Sequence, residues 1–331
     1  MKKVPLLALA AMSGVPTFAQ VVGHIERDDP ALDALISPDA KIEVIASGFA
    51  WCEGPVWRKK EGYLLFSDIP GNTIYRWSER GGLSVFLRPS GYTEDDPFGW
   101  ELGSNASTLD LQGRLVFCDQ GNRRVVRLNE SNFTKTVLAD RFEGKRLNSP
   151  NDLVYRSNGD LYFTDPPYGL QGKNADPHKE LAFNGVYRLD TRGRLTCIIS
   201  DLTFPNGIAF SPDEKTLYIQ VSDPNNARWM AYDVMPDGSV AHGRVFFDAN
   251  ALVKEGKKGL PDGMKVDQRG DIFGGGPGGV LVLSPQGRLL GTIVTGQITS
   301  NCAFGDDGYT LYMAADNYMM RVRLKTKGVG F

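Results

Sequence analysis

The 331-residue sequence predicts an all-β fold, a six-bladed β-propeller, and three observations support this prediction. A repeat unit recurs six times, its spacing matches the length of one propeller blade, and glycine and proline are abundant, at 38 and 19 residues. Each unit opens with a polar residue and a short apolar run, passes through a turn and continues into a strand such as residues 161–163 (Leu-Tyr-Phe). Radial repetition of four-stranded sheets at this period is typical of β-propellers.

The register of the repeats is regular along the chain. The opening residues are Glu53, Asn105, Asn151, Asn206, Asp262 and Asn301. An apolar strand residue follows each of them ten or eleven positions later, and successive openings lie 52, 46, 55, 56 and 39 residues apart. Six blades are therefore predicted over about residues 50–324. Residues 42–46 (Ile-Glu-Val-Ile-Ala) alternate as a strand does, and we expect them to complete the last blade and close the ring.

Composition excludes several other classes of protein. The 37 basic and 39 acidic residues nearly balance, whereas a nucleic-acid-binding face needs a basic excess. With only three histidines and no Gly-x-Ser-x-Gly motif, neither a multi-histidine metal site nor a serine triad is expected. The four cysteines match no zinc motif. Buried free thiols are the favoured interpretation, and a disulfide is the alternative in an oxidising compartment.

The N-terminus has the pattern of a secretory signal peptide. Lys2 and Lys3 precede an apolar stretch over residues 4–12, and residues 17–19 (Thr-Phe-Ala) form a cleavage site that leaves Gln20 as the new start. The pattern predicts a periplasmic or secreted protein, or a cytoplasmic one if the segment is never cleaved. Residues 20–331 are predicted to form a single propeller domain with an N-terminal extension. The apolar stretch is too short to span a membrane, and no later segment approaches the length of a span.

Two long insertions interrupt the repeats, at residues 89–103 and 166–184. Both lie between predicted strands and are therefore loops. Loops of this length in a compact domain are often lids or binding loops, and an ordinary solvated surface loop is the alternative.

We call the six opening residues the polar column, because equivalent positions on the inner strands line the central channel of a propeller. The column contains two carboxylates and four amides. Such oxygens suit one hard divalent cation, with Ca²⁺ the first candidate and Mg²⁺, Mn²⁺ or Zn²⁺ the others, although zinc usually takes histidine or cysteine. The alternative is that these residues solvate a wet channel or cap turns.

Four motifs resemble the family of senescence marker protein 30, gluconolactonase and luciferin-regenerating enzyme. They are CEGPVW at 52–57, SPNDLVYRSNGDLYFTDPPYGL at 149–170, FPNGIAFSPD at 204–213 and LPDGMKVDQRGDIF at 260–273. The resemblance implies a six-bladed propeller with one catalytic divalent cation held by Glu53, Asn151, Asn206 and Asp262. Bacterial gluconolactonase-like members often have histidine where this chain has Gln120, a difference that can shift substrate preference.

The resemblance also implies hydrolysis of a small sugar lactone, glucono-1,5-lactone first. A bound cation would polarise the lactone carbonyl for attack by water. Asp262 is the first candidate for the general base, and Asp152 is the second. The candidate substrate-binding residues are Asn151, Asn105, Arg146, Tyr168 and His178. The alternatives are hydrolysis of another lactone, ester or phosphotriester, or a non-catalytic binding propeller, in a protein that is either a monomer or a homodimer.

Overall fold

The structure, a computed structural model, describes residues 20–94 and 101–331. The predicted signal peptide at residues 1–19 lies outside the described residues, as do residues 95–100 of the first insertion. The N-terminal extension contains β1 (Gln20–Val22), β2 (His24–Arg27) and a 3₁₀ helix at Pro30–Ala34, and β3 (Ile42–Ser47) follows.

The first three blades are antiparallel sheets of four strands each. Blade 1 contains β4 (Cys52–Arg58), β5 (Tyr63–Asp68), β6 (Thr73–Ser78) and β7 (Gly82–Leu87). Blade 2 contains β8 (Ser107–Leu109), β9 (Leu115–Asp119), β10 (Arg124–Asn129) and β11 (Thr134–Ala139), followed by the short hairpin of β12 (Arg141–Phe142) and β13 (Lys145–Arg146). Blade 3 contains β14 (Leu153–Tyr155), β15 (Leu161–Asp165), β16 (Gly185–Leu189) and β17 (Leu195–Ile199). Short 3₁₀ helices lie at Gln120–Asn122 and Lys173–Ala175.

The last three blades complete the ring, and two of them recruit strands from the N-terminal segment. Blade 4 contains β18 (Pro205–Phe210), β19 (Thr216–Val221), β20 (Arg228–Val234) and β21 (Val240–Asp248), followed by helix α1 (Asn250–Lys254). Blade 5 contains β22 (Met264–Val266), β23 (Ile272–Gly276), β24 (Gly279–Leu283) and β25 (Leu289–Val294), with β2 as a fifth strand. Blade 6 contains β26 (Thr299–Gly305), β27 (Thr310–Ala315) and β28 (Tyr318–Arg323), to which β3 and then β1 are added.

The six-bladed propeller predicted from the repeats is confirmed. The innermost strands contact one another in cyclic order, from β4 through β8, β14, β18 and β22 to β26, which contacts β4 again. The predicted closing strand is also confirmed, because β3 pairs antiparallel with β28 in the register Met320↔Val44 and Val322↔Ile42. Joining an N-terminal strand to the last blade removes the open edge that β28 would otherwise present.

The core lies between blades. Six clusters of buried apolar side chains each combine residues from two adjacent blades, such as Leu65 of blade 1 with Phe117 of blade 2. Every blade is therefore held by its two neighbours. All four cysteines lie in the described part of the chain and are free thiols, three of them buried. No helix among the described residues is both long enough and apolar enough to cross a membrane.

Candidate active site

One cavity of about 200 Å³ gathers most of the polar column. Its lining residues are Trp51, Glu53, Ile69, Glu101, Asn105, Asn151, Tyr168, Asn206, Ser222 and Asp262. Glu53 and Asn206 lie within β4 and β18, whereas the other three column residues lie two positions before β8, β14 and β22. Because the repeats share one register, these side chains reach the same end of the channel. Five of the six predicted column positions therefore meet in one cavity.

The sixth column residue, Asn301, supports Glu53 rather than lining the cavity. Its Nδ2 donates to Glu53 Oε2 at 3.1 Å, and the backbone N–H of Gly54 donates to the same oxygen at 2.7 Å. Gly263 makes this contact sterically feasible, because a Cβ at that position would lie 2.0 Å from Asn301 Cγ. Asn301 thus orients the Glu53 carboxylate, which lines the cavity.

The charge of one cavity carboxylate, Glu53, disfavours ionisation of another, Asp262. Glu53 is 3% exposed, and burial raises its pKa, with the charge of Asp152 adding to the rise. Burial and the charge of Glu53 raise the pKa of Asp262 well above its usual range. Ionisation of both carboxylates in this poorly solvated site is favoured when a positive charge compensates them.

A hard divalent cation in the cavity would supply this positive charge, and the lining residues suit one. The oxygens that suit a cation come from two of the lining carboxylates, Glu53 and Asp262, and from the amides of Asn151 and Asn206. Such a set is typical of calcium or magnesium sites, and a cation there would relieve the repulsion between the carboxylates. Across residues 20–94 and 101–331, no group of three or more His, Cys, Asp or Glu side chains gathers as a metal site, so any site here depends on the amides.

Asp152, the second candidate for the general base, lies outside the cavity lining. It is 1% exposed, and its Oδ1 accepts a hydrogen bond from its neighbour Leu153 N at 2.7 Å. Burial raises its pKa, and the charge of Lys265 opposes that rise. Of the two candidates, Asp262 is the one that lines the cavity.

Both insertions contribute a side chain to the cavity. Tyr168, from the second insertion, was predicted; its hydroxyl donates to the Ser222 carbonyl at 3.2 Å and its ring stacks on Phe204. Glu101, from the first insertion, was not predicted, and burial raises its pKa to about 7. The insertion itself was recognised as a candidate binding loop, but no feature of the sequence distinguishes Glu101 from Glu94 in the same loop.

Trp51, Ile69 and Ser222 were also missed. They flank the repeat motifs without being part of the polar column, and only the packing of the blades places them in the cavity lining.

Two of the predicted substrate-binding residues lie outside the cavity lining. The Arg146 side chain donates from Nη2 to the Asn122 carbonyl at 3.0 Å. The His178 ring contacts the Asp176 carboxylate at 3.0 Å. Contact of Arg146 and His178 with a sugar therefore stays a prediction, which requires a substrate that reaches beyond the cavity.

Comparisons with known proteins identify the family. The profile described as SMP-30/Gluconolactonase/LRE-like region matches residues 51–317. The gluconolactonase of Zymomonas mobilis is 39% identical over 98% of this chain and 95% of its own length, and the pentonolactonase XacC of Haloferax volcanii is 27% identical over 79% and 80%. A solved gluconolactonase from Xanthomonas campestris superimposes with a TM-score of 0.79 and 32% identity, over 93% of this chain and 99% of that one. This chain therefore belongs to the SMP-30/gluconolactonase/LRE-like family and is a lactone hydrolase.

Proposed function

We propose that this lactone hydrolase acts on a sugar lactone, glucono-1,5-lactone in the first place, and depends on one divalent cation. The observation that carries the proposal is the cavity, where two carboxylates and two amides from four different blades line one small space, and the charge of Glu53 raises the pKa of Asp262. The two relatives named as gluconolactonases support the choice of sugar.

Glu53, Asn151, Asn206 and Asp262 are proposed to hold the cation. Ca²⁺ is the first candidate because it accepts six to eight oxygen ligands in loose geometry, which leaves positions for water and substrate. Mg²⁺, Mn²⁺ and Zn²⁺ are the other candidates. When bound, the cation supplies Lewis-acid polarisation of the lactone carbonyl.

The protein's own side chains bind the substrate and transfer the proton. Asp262 is proposed to accept the proton of the attacking water, since it lines the cavity and Asp152 does not. Asn151 and Asn105 present amide groups to sugar hydroxyls. The Tyr168 hydroxyl donates to the Ser222 carbonyl and also interacts with the Asn206 side chain, and we propose that it accepts a further hydrogen bond from the sugar. Trp51 lines the same cavity and gives it an apolar wall.

The compartment is also a proposal. A cleavable segment at residues 1–19 would place the protein in the periplasm or outside the cell. An aldonolactone formed there by oxidation of a sugar would then meet the enzyme in the same compartment.

The direct test is a pH-stat lactonase assay of the mature chain with glucono-1,5-lactone and other aldonolactones. We expect hydrolysis with Ca²⁺, loss of most of that activity after chelation, and recovery when the cation is restored. Full activity in the rigorously metal-free protein would refute the metal dependence. Hydrolysis of pentonolactones but not of glucono-1,5-lactone would refute the proposed sugar.

Replacing Asn301 with alanine is expected to weaken Ca²⁺ binding by about tenfold, because groups that orient a ligand typically contribute 10–100-fold to metal affinity. Loss of its Nδ2 leaves only the Gly54 N–H to orient Glu53 Oε2. Isothermal titration calorimetry measures the effect. Asn158→Ala, in an exposed turn between β14 and β15, is the matched control, and Ca²⁺ affinity equal to that of the control would contradict the supporting role of Asn301.

A further inference from the structure

A chain of hydrogen bonds runs along one wall of the cavity, outside the proposed metal ligands. Asn105 Nδ2 donates to Gln120 Oε1 at 2.6 Å, and Gln120 Nε2 donates to the Glu101 carboxylate. Gln120 is fully buried, and Asn105 is 3% exposed. Glu101 and Asn105, the two ends of this chain, both line the cavity.

The carboxylate at one end determines the direction of the whole chain. Above the pKa of about 7 that burial gives it, Glu101 is ionised and only accepts hydrogen bonds, so Gln120 turns its NH₂ group toward it. The carbonyl oxygen of Gln120 then faces Asn105, which must donate from its own NH₂ group. The Oδ1 atom of Asn105 is consequently the free end of the chain, a buried oxygen that has no hydrogen-bond partner among the described residues.

Two glycines leave room for the side chains of this chain of hydrogen bonds. A Cβ at Gly169 would lie 3.1 Å from Gln120 Cγ and 2.8 Å from Ser149 Cβ, so the glycine leaves just enough room for the side chain. A Cβ at Gly121 would lie 2.1 Å from the Leu102 carbonyl oxygen, so this glycine allows the segment that carries Glu101 to pack against the turn that carries Gln120. The two glycines therefore permit the close approach of Gln120 to Glu101.

We propose that Glu101 and Gln120 are positioning residues that hold Asn105 as a hydrogen-bond acceptor for a hydroxyl of the bound lactone. The inference rests on the proposed function, since it assumes a hydroxylated lactone in the cavity. A fixed acceptor discriminates against ligands without a matching hydroxyl, because they leave a buried oxygen unpaired. The three residues would thus select polyhydroxylated lactones over plain ones.

The test compares the six-membered glucono-1,5-lactone with δ-valerolactone, which has the same ring size and no hydroxyls. The variants are Gln120→Met, Gln120→His, Asn105→Ala and the double variant Asn105→Ala/Gln120→Met. Methionine keeps the length of the side chain without its polarity. Histidine can donate to Glu101 from one ring nitrogen and accept from Asn105 at the other, so it preserves the direction of the chain.

Gln120→Met is expected to raise KM for glucono-1,5-lactone about tenfold with kcat nearly unchanged, as loss of a uniform binding contact does. The same variant should leave the kinetics of δ-valerolactone and the Ca²⁺ dissociation constant unchanged, and Gln120→His should retain the wild-type KM. In the Asn105→Ala background the methionine substitution should add nothing, because Gln120 acts through Asn105.

Three outcomes would overturn the inference. They are an unchanged KM for glucono-1,5-lactone in Gln120→Met, additive effects in the double variant, and a Ca²⁺ affinity that falls in parallel with activity. If Gln120→Met does not fold, Glu101→Gln tests the same chain from its other end, since a neutral amide no longer imposes a direction, and KM should again rise. Wild-type protein that hydrolyses no lactone would instead refute the proposed function, so the two failures are distinguishable.

Discussion

Asp262→Asn is expected to lower kcat/KM for lactone hydrolysis by about a thousandfold. Asp262 is proposed both as a metal ligand and as the general base, and the substitution removes the charge that both roles need. Asparagine preserves the shape of the side chain, so the propeller should still fold. Ca²⁺ affinity should fall as well, because one of the two carboxylates proposed as metal ligands is gone. Glu53→Gln should reduce Ca²⁺ affinity similarly, with a smaller effect on the chemical step at saturating Ca²⁺.

The measurements are pH-stat kinetics at saturating Ca²⁺ and calorimetric titration of the metal. Asp271→Asn is the matched control: this buried carboxylate lies outside the cavity lining, and its variant should keep full activity. Asp152→Asn separates the two candidates for the general base. If Asp152→Asn abolishes hydrolysis while Asp262→Asn at saturating Ca²⁺ does not, the proton acceptor has been misassigned.

A chain that begins at Gly48 is expected not to form a stable propeller. The truncation removes β3 from blade 6 together with the strands β1 and β2, and it removes four buried side chains, Leu32, Leu35, Ile36 and Ile42. Each such side chain contributes about 1.5–3 kcal/mol by burial. Their sum is comparable with the total stability of a typical domain, about 5–15 kcal/mol.

Circular dichroism melts and size-exclusion chromatography measure this effect. A chain that begins at His24 is the control, because it lacks only β1, a three-residue strand in which Gln20 and Val21 are exposed. Its Tm should fall by less than about 4 °C. A Gly48 chain that melted within a few degrees of the full-length protein would show that closure of the ring by β3 contributes little.

The sequence alone was sufficient for the propeller and for most of the polar column. The repeats share one register, so Glu53, Asn105, Asn151, Asn206 and Asp262 occupy equivalent places, and equivalent places in a closed ring meet at its axis. The closing strand could also be predicted from the sequence, because its alternation of apolar and polar residues indicates a strand whichever strand it pairs with.

The sequence could not show the contacts between segments that occupy different positions in the repeats. Asn301 occupies the equivalent position of its repeat. Its side chain nevertheless donates a hydrogen bond to Glu53, because Gly263 leaves room for it. Arg146 and His178 flank a motif but make contacts outside the cavity lining. These outcomes depend on local packing, which the repeat pattern does not encode.

The sequence by itself therefore determined the six blades, the oxygen-rich column and the family, because periodic positions repeat one local geometry. Only the tertiary structure decided which of those oxygens share a cavity, and which residues from the loops join them. Glu101 reaches Gln120 through the packing of an insertion against a neighbouring turn, and no periodicity governs that approach. The physical reason is that a repeat determines where equivalent strands lie, whereas side chains from unique loops are placed by contacts made once in the fold.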